Sequence, residues 1–129
     1  MKRLIIHRKK KFASALMPYW IVTETDKKTF MEKYNLIGDF CKTSVLGHPI
    51  SRIDFKILRK DFTIENGETI QIELNDNVTT AFAITMDGCL SNEIILSEGI
   101  LLGDGIEVFN HLLTTRGGFF KPSYPWFEK

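Results

Sequence analysis

Turn-forming residues recur about every ten residues in the middle of the chain, at Asn66-Gly67, Asn75-Asp76-Asn77 and Asp87-Gly88. Between the first two turns the sequence reads Ile-Gln-Ile-Glu-Leu over residues 70–74, so apolar and polar side chains alternate strictly. This alternation is the period of a β-strand with one buried and one solvated face. Asn-Gly supplies the positive φ angles of a tight turn, which predicts a hairpin between residues 62–64 and 70–74.

The remaining segments favour further strands and one helix. Apolar, β-branched and aromatic runs predict strands over residues 2–8, 16–23, 78–86 and 91–96. A change to helical spacing after Thr25-Asp26, either of which can cap a helix, predicts a short helix over about 27–35. Residues 105–115 fit either a strand or a helix, and a strand is preferred because it covers a sheet edge.

These elements predict a mainly-β fold. We expect a single antiparallel β-sandwich or barrel-like domain with one short helix at about 27–35. A length of 129 residues suits one domain over 1–129, and 43% hydrophobic residues suffice for an ordinary core. The irregular segment 26–60 is a possible insertion, and the proline- and aromatic-rich residues 121–129 are expected to form a C-terminal tail packed against the body.

Charge is segregated along the chain. The first twelve residues hold six cations and no acid, whereas residues 61–115 hold ten carboxylates and no lysine or arginine. If the six cations are taken from the formal net charge of +1, the rest of the chain carries −5. Such asymmetry says more about partners than about fold.

The basic segment has three interpretations. Its cations can pair with Glu68, Glu73 or Glu93 across neighbouring strands, which is the preferred one. They can instead contact a partner protein or a second copy of the chain. They can also neutralise phosphates while Phe12 and Trp20 stack on bases, but the acidic remainder repels a polyanion, so no strong nucleic-acid binding is expected.

Part of the chain resembles a set of small bacterial β-sandwich modules of uncharacterised function. The resemblance is carried by Ile6-His7-Arg8 to Phe12, by Ala15-Leu16-Met17-Pro18-Tyr19, and by Ile64-x-Asn66-Gly67-Glu68-Thr69-Ile70 with the strands that follow. It covers residues 4–23 and 62–96. It implies a basic first strand, an aromatic second strand and a hairpin leading into an acidic strand, and it implies no catalytic residues.

The candidate binding residues combine the basic segment with the aromatic C-terminus. Cations and aromatic rings together suit interaction surfaces. The six residues are Arg8, Lys9, Lys10, Lys11, Tyr124 and Trp126. They predict a protein partner or self-association.

Enzymatic and metal sites are less well supported. Cys41 and His48, with Asp39 or Asp54, could form a nucleophile and base, so the alternative function is a small hydrolase or metal-dependent enzyme using Asp and His residues around 39–54. Oxygen ligands near Asn75-Asp76-Asn77 lack the spacing of a calcium loop. His7, His48 and His111 are too scattered for zinc. We therefore predict no catalytic residue, no metal site and no cofactor.

Cellular location follows from the cysteines and the N-terminus. Cys41 and Cys89 are expected to be reduced, as in a cytoplasmic protein, and the apolar run at residues 4–6 is too short for a signal peptide. No apolar stretch is long enough to span a bilayer. The sequence thus predicts a cytoplasmic, non-catalytic binding or assembly module of unknown specificity.

Overall fold

The computed structural model describes residues 1–11, 18–33, 62–85, 89–116 and 124–128, and these form two β-sheets and one short helix. The mainly-β prediction is confirmed, the arrangement is consistent with a β-sandwich, and the described strands close no barrel. In chain order the elements are β1 (Lys2–Arg8), β2 (Tyr19–Val22), α1 (Lys27–Lys33), β3 (Thr63–Ile64), β4 (Thr69–Leu74), β5 (Thr80–Ile84), β6 (Ile94–Ile95), β7 (Ile100–Leu101), β8 (Glu107–Arg116) and β9 (Tyr124–Glu128).

The first sheet has the strand order β4-β1-β8-β7, and β9 also pairs with β8. β1 is antiparallel to β4 but parallel to β8, which is a departure from the all-antiparallel sheet expected from the sequence. β7 pairs with the beginning of β8, at Glu107 and Val108, and β9 pairs with its end, from Leu112 to Arg116. The second sheet has the order β3-β2-β5-β6 and is antiparallel.

The main core lies between the two sheets because each contributes one apolar face. Alternation along β1 turns Leu4 and Ile6 inward, where both are fully buried. The same cluster takes residues from both sheets, including Ile72, Phe109, Leu113 and Phe127 from the first, and Tyr19, Ile21, Ile64, Ala81 and Ala83 from the second.

The Asn66-Gly67 turn is present, but the hairpin predicted around it is wrong. Gly67 has a φ of 79°, and the Glu68 amide donates to the Glu65 carbonyl at 3.0 Å. The flanking strands nevertheless belong to different sheets, since β3 pairs with β2 and β4 pairs with β1. The turn therefore carries the chain from one sheet to the other, and alternation alone does not reveal which strand is the partner.

Helix α1 covers the outer face of the second sheet. Asp26 accepts a hydrogen bond from the Thr29 amide at 3.0 Å, so of the two predicted N-cap residues the structure uses Asp26. Phe30 is buried and meets the Phe82 ring edge to face, with 5.3 Å between the ring centroids. A second apolar cluster on this face holds Val22, Phe30, Phe82, Ile84 and Leu90.

The C-terminal part of the chain is more regular than predicted. The strand preference for residues 105–115 is confirmed by β8, which is ten residues long, and the helical alternative is wrong. The expected tail at 121–129 contains β9, a hydrogen-bonded strand. Pro125 has no amide hydrogen to donate. It is tolerated because β9 pairs only with β8 among the described strands, so its other edge has no strand that needs a donor.

Cys89 is buried and disulfide-bonded, so the expectation of a reduced Cys89 is wrong. Nothing in the alternation of apolar residues distinguishes a small buried thiol from a bonded one, because both lie in the core. Cys41 lies outside the described residues, as does most of the possible insertion at 26–60. No helix in the described part of the chain is long and apolar enough to cross a membrane.

Candidate functional site: a basic and aromatic end of the first sheet

One end of the first sheet brings together residues that are more than one hundred positions apart. The Lys9 amide donates to the Leu113 carbonyl at 2.7 Å, so the β1 backbone continues along β8 for one residue beyond Arg8. Register then places Lys9 beside Thr114, and Thr114 is paired with Trp126 on β9. Lys9, Thr114 and Trp126 therefore form a row across three neighbouring chain segments.

These side chains share the outer face of the sheet. Arg8 and Leu113 point into the core, so the next residue on each strand points outward. On the same face the Arg116 guanidinium lies over the Trp126 ring, 4.3 Å from its centroid, and Tyr124 meets Trp126 edge to face at 6.4 Å. The result is an exposed cation stacked on a half-buried aromatic pair.

Lys10 and Lys11 extend this end toward the turn that links the two sheets. The Lys11 amide donates to the Asn66 side-chain oxygen at 2.9 Å, and the Lys10 side chain lies beside Gly67. Lys9, Lys10 and Lys11 are all exposed. We call the set of Lys9, Lys10, Lys11, Arg116, Tyr124 and Trp126 the basic–aromatic end.

Arg8 was predicted to be a binding residue, but it is not on this surface, because it is fully buried between the sheets. Its guanidinium donates to the Ile64 carbonyl at 2.9 Å and stacks on the Tyr19 ring. Burial lowers the pKa of Arg8, while the neighbouring Tyr19 and Glu65 raise it. Alternation from Leu4 and Ile6 turns Arg8 inward, so this residue supports the fold and is inaccessible to a partner.

Lys2, at the opposite end of β1, is a second inward-facing cation. Its ammonium donates to the carbonyls of Val78 and Leu96 at 2.7 and 2.8 Å. Lys2 and Arg8 each bond the main chain of residues outside the first sheet. The basic N-terminal segment is thus not one uniform arm, since part of its charge is used inside the protein.

The predicted cross-strand pairing is confirmed for one cation. Arg3 and Glu73 are opposite each other on β1 and β4, and Arg3 Nε lies 2.7 Å from a Glu73 carboxylate oxygen. The Arg3 hydrogen bond lowers the pKa of Glu73. Glu68 and Glu93 accept instead from the main-chain amides of Glu65 and Lys27. The intramolecular interpretation therefore accounts for Arg3 and leaves Lys9 to Lys11 on the surface.

Local charge at the basic–aromatic end is positive. Four exposed cations, Lys9, Lys10, Lys11 and Arg116, lie near two exposed carboxylates of the sheet-linking turn, Glu65 and Glu68. Arg116 was missed as a candidate in the sequence. Its signal in the sequence is that it is the first cation after the cation-free segment 61–115, and in the structure it is the last residue of β8.

The other candidate sites are dispersed or lie outside the described residues. No group of three or more His, Cys, Asp or Glu side chains within the described part of the chain is arranged to hold a metal ion. Asp76 pairs with the N-terminal ammonium, and this contact lowers its pKa. His7 donates to or accepts from Thr69 on the outer face, whereas His111 contacts Phe127 on the inner face. The proposed Asp39, Cys41, His48 and Asp54 arrangement lies outside the described residues.

Comparison of the chain with protein-family models, with curated proteins and with solved structures finds no match. The resemblance to small bacterial β-sandwich modules stays a prediction.

Proposed function

We propose that this protein is a non-catalytic binding or assembly module that binds an acidic protein surface through its basic–aromatic end. One observation carries the proposal: the register of β1, β8 and β9 brings Lys9 and Trp126 into one row on an outer face. Two segments from opposite ends of the sequence supply complementary chemistry there. The cations attract carboxylates, and the rings bury apolar area at small entropic cost.

A protein partner is favoured over nucleic acid by the distribution of charge. Phosphate backbones require several cations along a continuous track, because each neutralised phosphate contributes to affinity. Among the described residues of the first sheet and the segment that follows β1, the exposed cations lie at one end, and the carboxylates of the sheet-linking turn lie beside them. A compact acidic patch with apolar side chains matches this surface better than an extended polyanion does. A cytoplasmic location stays a prediction.

Direct binding measurements test the proposal. The probe is a fluorescein-labelled peptide in which glutamate and leucine alternate, followed by anisotropy at low and physiological salt. Wild type is expected to bind with an affinity that falls as salt screens the charges. The Lys9→Glu/Arg116→Glu variant is expected to bind at least tenfold more weakly. Trp126→Ala is also expected to bind more weakly, and its loss of affinity should depend less on salt concentration than that of the double variant.

The matched control is Lys28→Glu/Lys33→Glu, which makes the same change in net charge on exposed positions of α1. It is expected to bind the peptide as wild type does. Equal weakening by both double variants would show that net charge, rather than this surface, governs binding. Labelled single- and double-stranded DNA are measured in parallel, and a micromolar or tighter complex at physiological salt that needs Lys9 and Arg116 would replace the proposal with nucleic-acid binding.

A further inference from the structure

Large apolar side chains are exposed on β6 of the second sheet and, in a group, at the opposite end of the first sheet. Ile95, Ile100 and Leu101 are 68%, 66% and 70% exposed, and Met1 and Leu102 are also open to solvent. They are all the exposed large apolar residues in the described part of the chain. Single exposed apolar residues need no explanation, but a group at one place marks an interaction surface.

Backbone contacts place most of these residues around the beginning of β1. The Met1 carbonyl accepts from the Glu107 amide at 3.1 Å, at the start of β8. β7, with Ile100 and Leu101, pairs with this part of β8. Ile95 is not part of this surface, because it lies on β6 of the second sheet and its neighbours Ile94 and Leu96 are turned into the core. Within the described residues β7 has no strand on its other side, so it also offers an open edge.

Carboxylates surround this apolar group. Glu98 and Asp104 are exposed, and Glu107 is half-buried with one oxygen bonded to the Gly99 amide. The nearest cations in the described part of the chain are already engaged: Lys2 is turned into the core, Arg3 pairs with Glu73, and the N-terminal ammonium pairs with Asp76. We call the set of Met1, Glu98, Ile100, Leu101, Leu102, Asp104 and Glu107 the acidic–apolar end.

The two ends cannot neutralise each other within one molecule. β1 spans seven residues between them, which at roughly 3.3 Å per residue separates the ends by about 20 Å. At physiological ionic strength the Debye length is about 8 Å, so charges at that distance are largely screened from one another. Contact between opposite ends requires two molecules.

We infer that the acidic–apolar end binds the basic–aromatic end of a second copy of this chain, so that the protein associates head to tail. The inference rests on the proposed function and names its partner. Lys9 and Arg116 of one copy lie against Asp104 and Glu98 of the next. The rings of Trp126 and Tyr124 cover the exposed Ile100 and Leu101, and burial of this apolar area adds to the affinity that the opposite charges provide.

Complementarity between the two ends decides the geometry. An isologous contact centred on either end would place that end against itself, and like charges facing each other across an interface are costly. A heterologous contact joins unlike ends, and it continues into a chain unless the rotation between copies closes a ring. Because association joins separate copies, it depends on protein concentration. Because the two surfaces carry opposite charges, it weakens as salt rises.

Two variants with one disabled end each provide the test. Lys9→Glu/Arg116→Glu disables the basic–aromatic end, and Ile100→Lys/Leu101→Lys places two cations on the acidic–apolar end at exposed positions. Sedimentation velocity at low and high salt follows the mass of each protein alone and of their equimolar mixture. Glu32→Lys on α1 is the control for the second variant, since it also changes the net charge by +2.

Wild type and Glu32→Lys are expected to grow in mass with concentration at low salt and to return to monomer at high salt. Each double variant alone is expected to be monomeric, and the mixture is expected to form a complex of two chains through the two intact ends. Circular dichroism verifies that both variants are folded.

A monomeric wild type at every concentration, or a mixture that stays monomeric, would overturn the inference. Variants that still associate alone would also overturn it, because the contact would then use another surface. If the acidic peptide still binds wild type through Lys9 and Arg116, the proposed function stands and its partner is a different acidic protein. If that peptide also fails to bind, both proposals fall.

Discussion

The guanidinium carbon of Arg8 lies 3.7 Å from the centre of the Tyr19 ring, in the space between the two sheets. Tyr19 in turn shares a hydrogen bond of 2.6 Å with Thr115 on β8. The contact joins the first strand of one sheet to a strand of the other. It also removes from the surface a cation that the sequence places among candidates for binding.

Replacing Arg8 by methionine is expected to destabilise the protein. The change keeps much of the side-chain volume but removes the donor to the Ile64 carbonyl and the stacking on Tyr19. A buried carbonyl left without its donor costs about 1–3 kcal/mol in the free energy of unfolding. Urea unfolding measures this, with the exposed Lys10→Met as control. Equal stabilities for the two variants would contradict the buried role of Arg8.

The turn between the sheets is expected to be intolerant of a β-branched residue. Gly67 has a φ of 79°, a conformation that valine strongly avoids. Gly67→Val is therefore expected to cost about 1–3 kcal/mol through backbone strain. Gly103→Val is the control, because an added Cβ there meets no atom within 4 Å and no positive φ is involved. Thermal melting compares the two, and an unchanged melting curve for Gly67→Val would refute the turn geometry.

Asn92 is expected to hold β9 in place. Its side-chain amide donates to the Phe127 carbonyl at 2.9 Å, and its oxygen accepts from the Phe127 amide at 2.7 Å, so one side chain takes the place of a neighbouring strand. Asn92→Ala removes both bonds and is expected to cost about 1–3 kcal/mol. Hydrogen exchange measured on Asn92→Ala should show faster amide exchange in β9 than in β4. Uniform exchange across both strands would mean that the bonds contribute little to β9.

Stability is expected to fall as pH drops below about 6.5, through His111. Burial lowers the pKa of His111 in the folded protein, so the unfolded chain takes up a proton at a higher pH than the folded one. Stability is then complete above the unfolded pKa and is lost as pH falls toward the folded pKa. Melting temperatures between pH 8 and pH 5 measure this. His111→Gln should flatten the upper part of the profile, and an unchanged slope would assign the loss to other groups.

Reduction is expected to destabilise the wild-type protein. Cys89 is disulfide-bonded, and a native disulfide commonly contributes about 2–4 kcal/mol. Thermal melting with and without dithiothreitol should show a drop for wild type and none for Cys89→Ser. Thiol titration of the unfolded, unreduced protein should find no free thiol. Two free thiols in protein purified without reductant would contradict the bond and would agree with the predicted cytoplasmic location.

Local features of the fold could be predicted because neighbouring residues determine them. Alternation in residues 70–74 predicts a half-solvated strand, and the Asn66-Gly67 pair predicts a positive φ at Gly67. The carboxylate of Asp26 predicts a helix start, which the bond from Thr29 confirms. Alternation also explains the burial of Arg8, since it follows Leu4 and Ile6 by even steps, although the cluster of cations around it suggests an exposed arm.

The tertiary structure alone decided which strands are partners and which surfaces exist. β3 and β4 flank a tight turn yet belong to different sheets, because the face that each must bury matters more than their closeness in sequence. The parallel pairing of β1 with β8 depends on contacts between residues more than one hundred positions apart in the sequence. The pairing of β9 with the end of β8 then adds the aromatic residues of β9 to the same sheet. Lys9, Arg116 and Trp126 consequently become neighbours only in the folded chain. The sequence alone determines their chemistry, while long-range packing determines that they lie side by side.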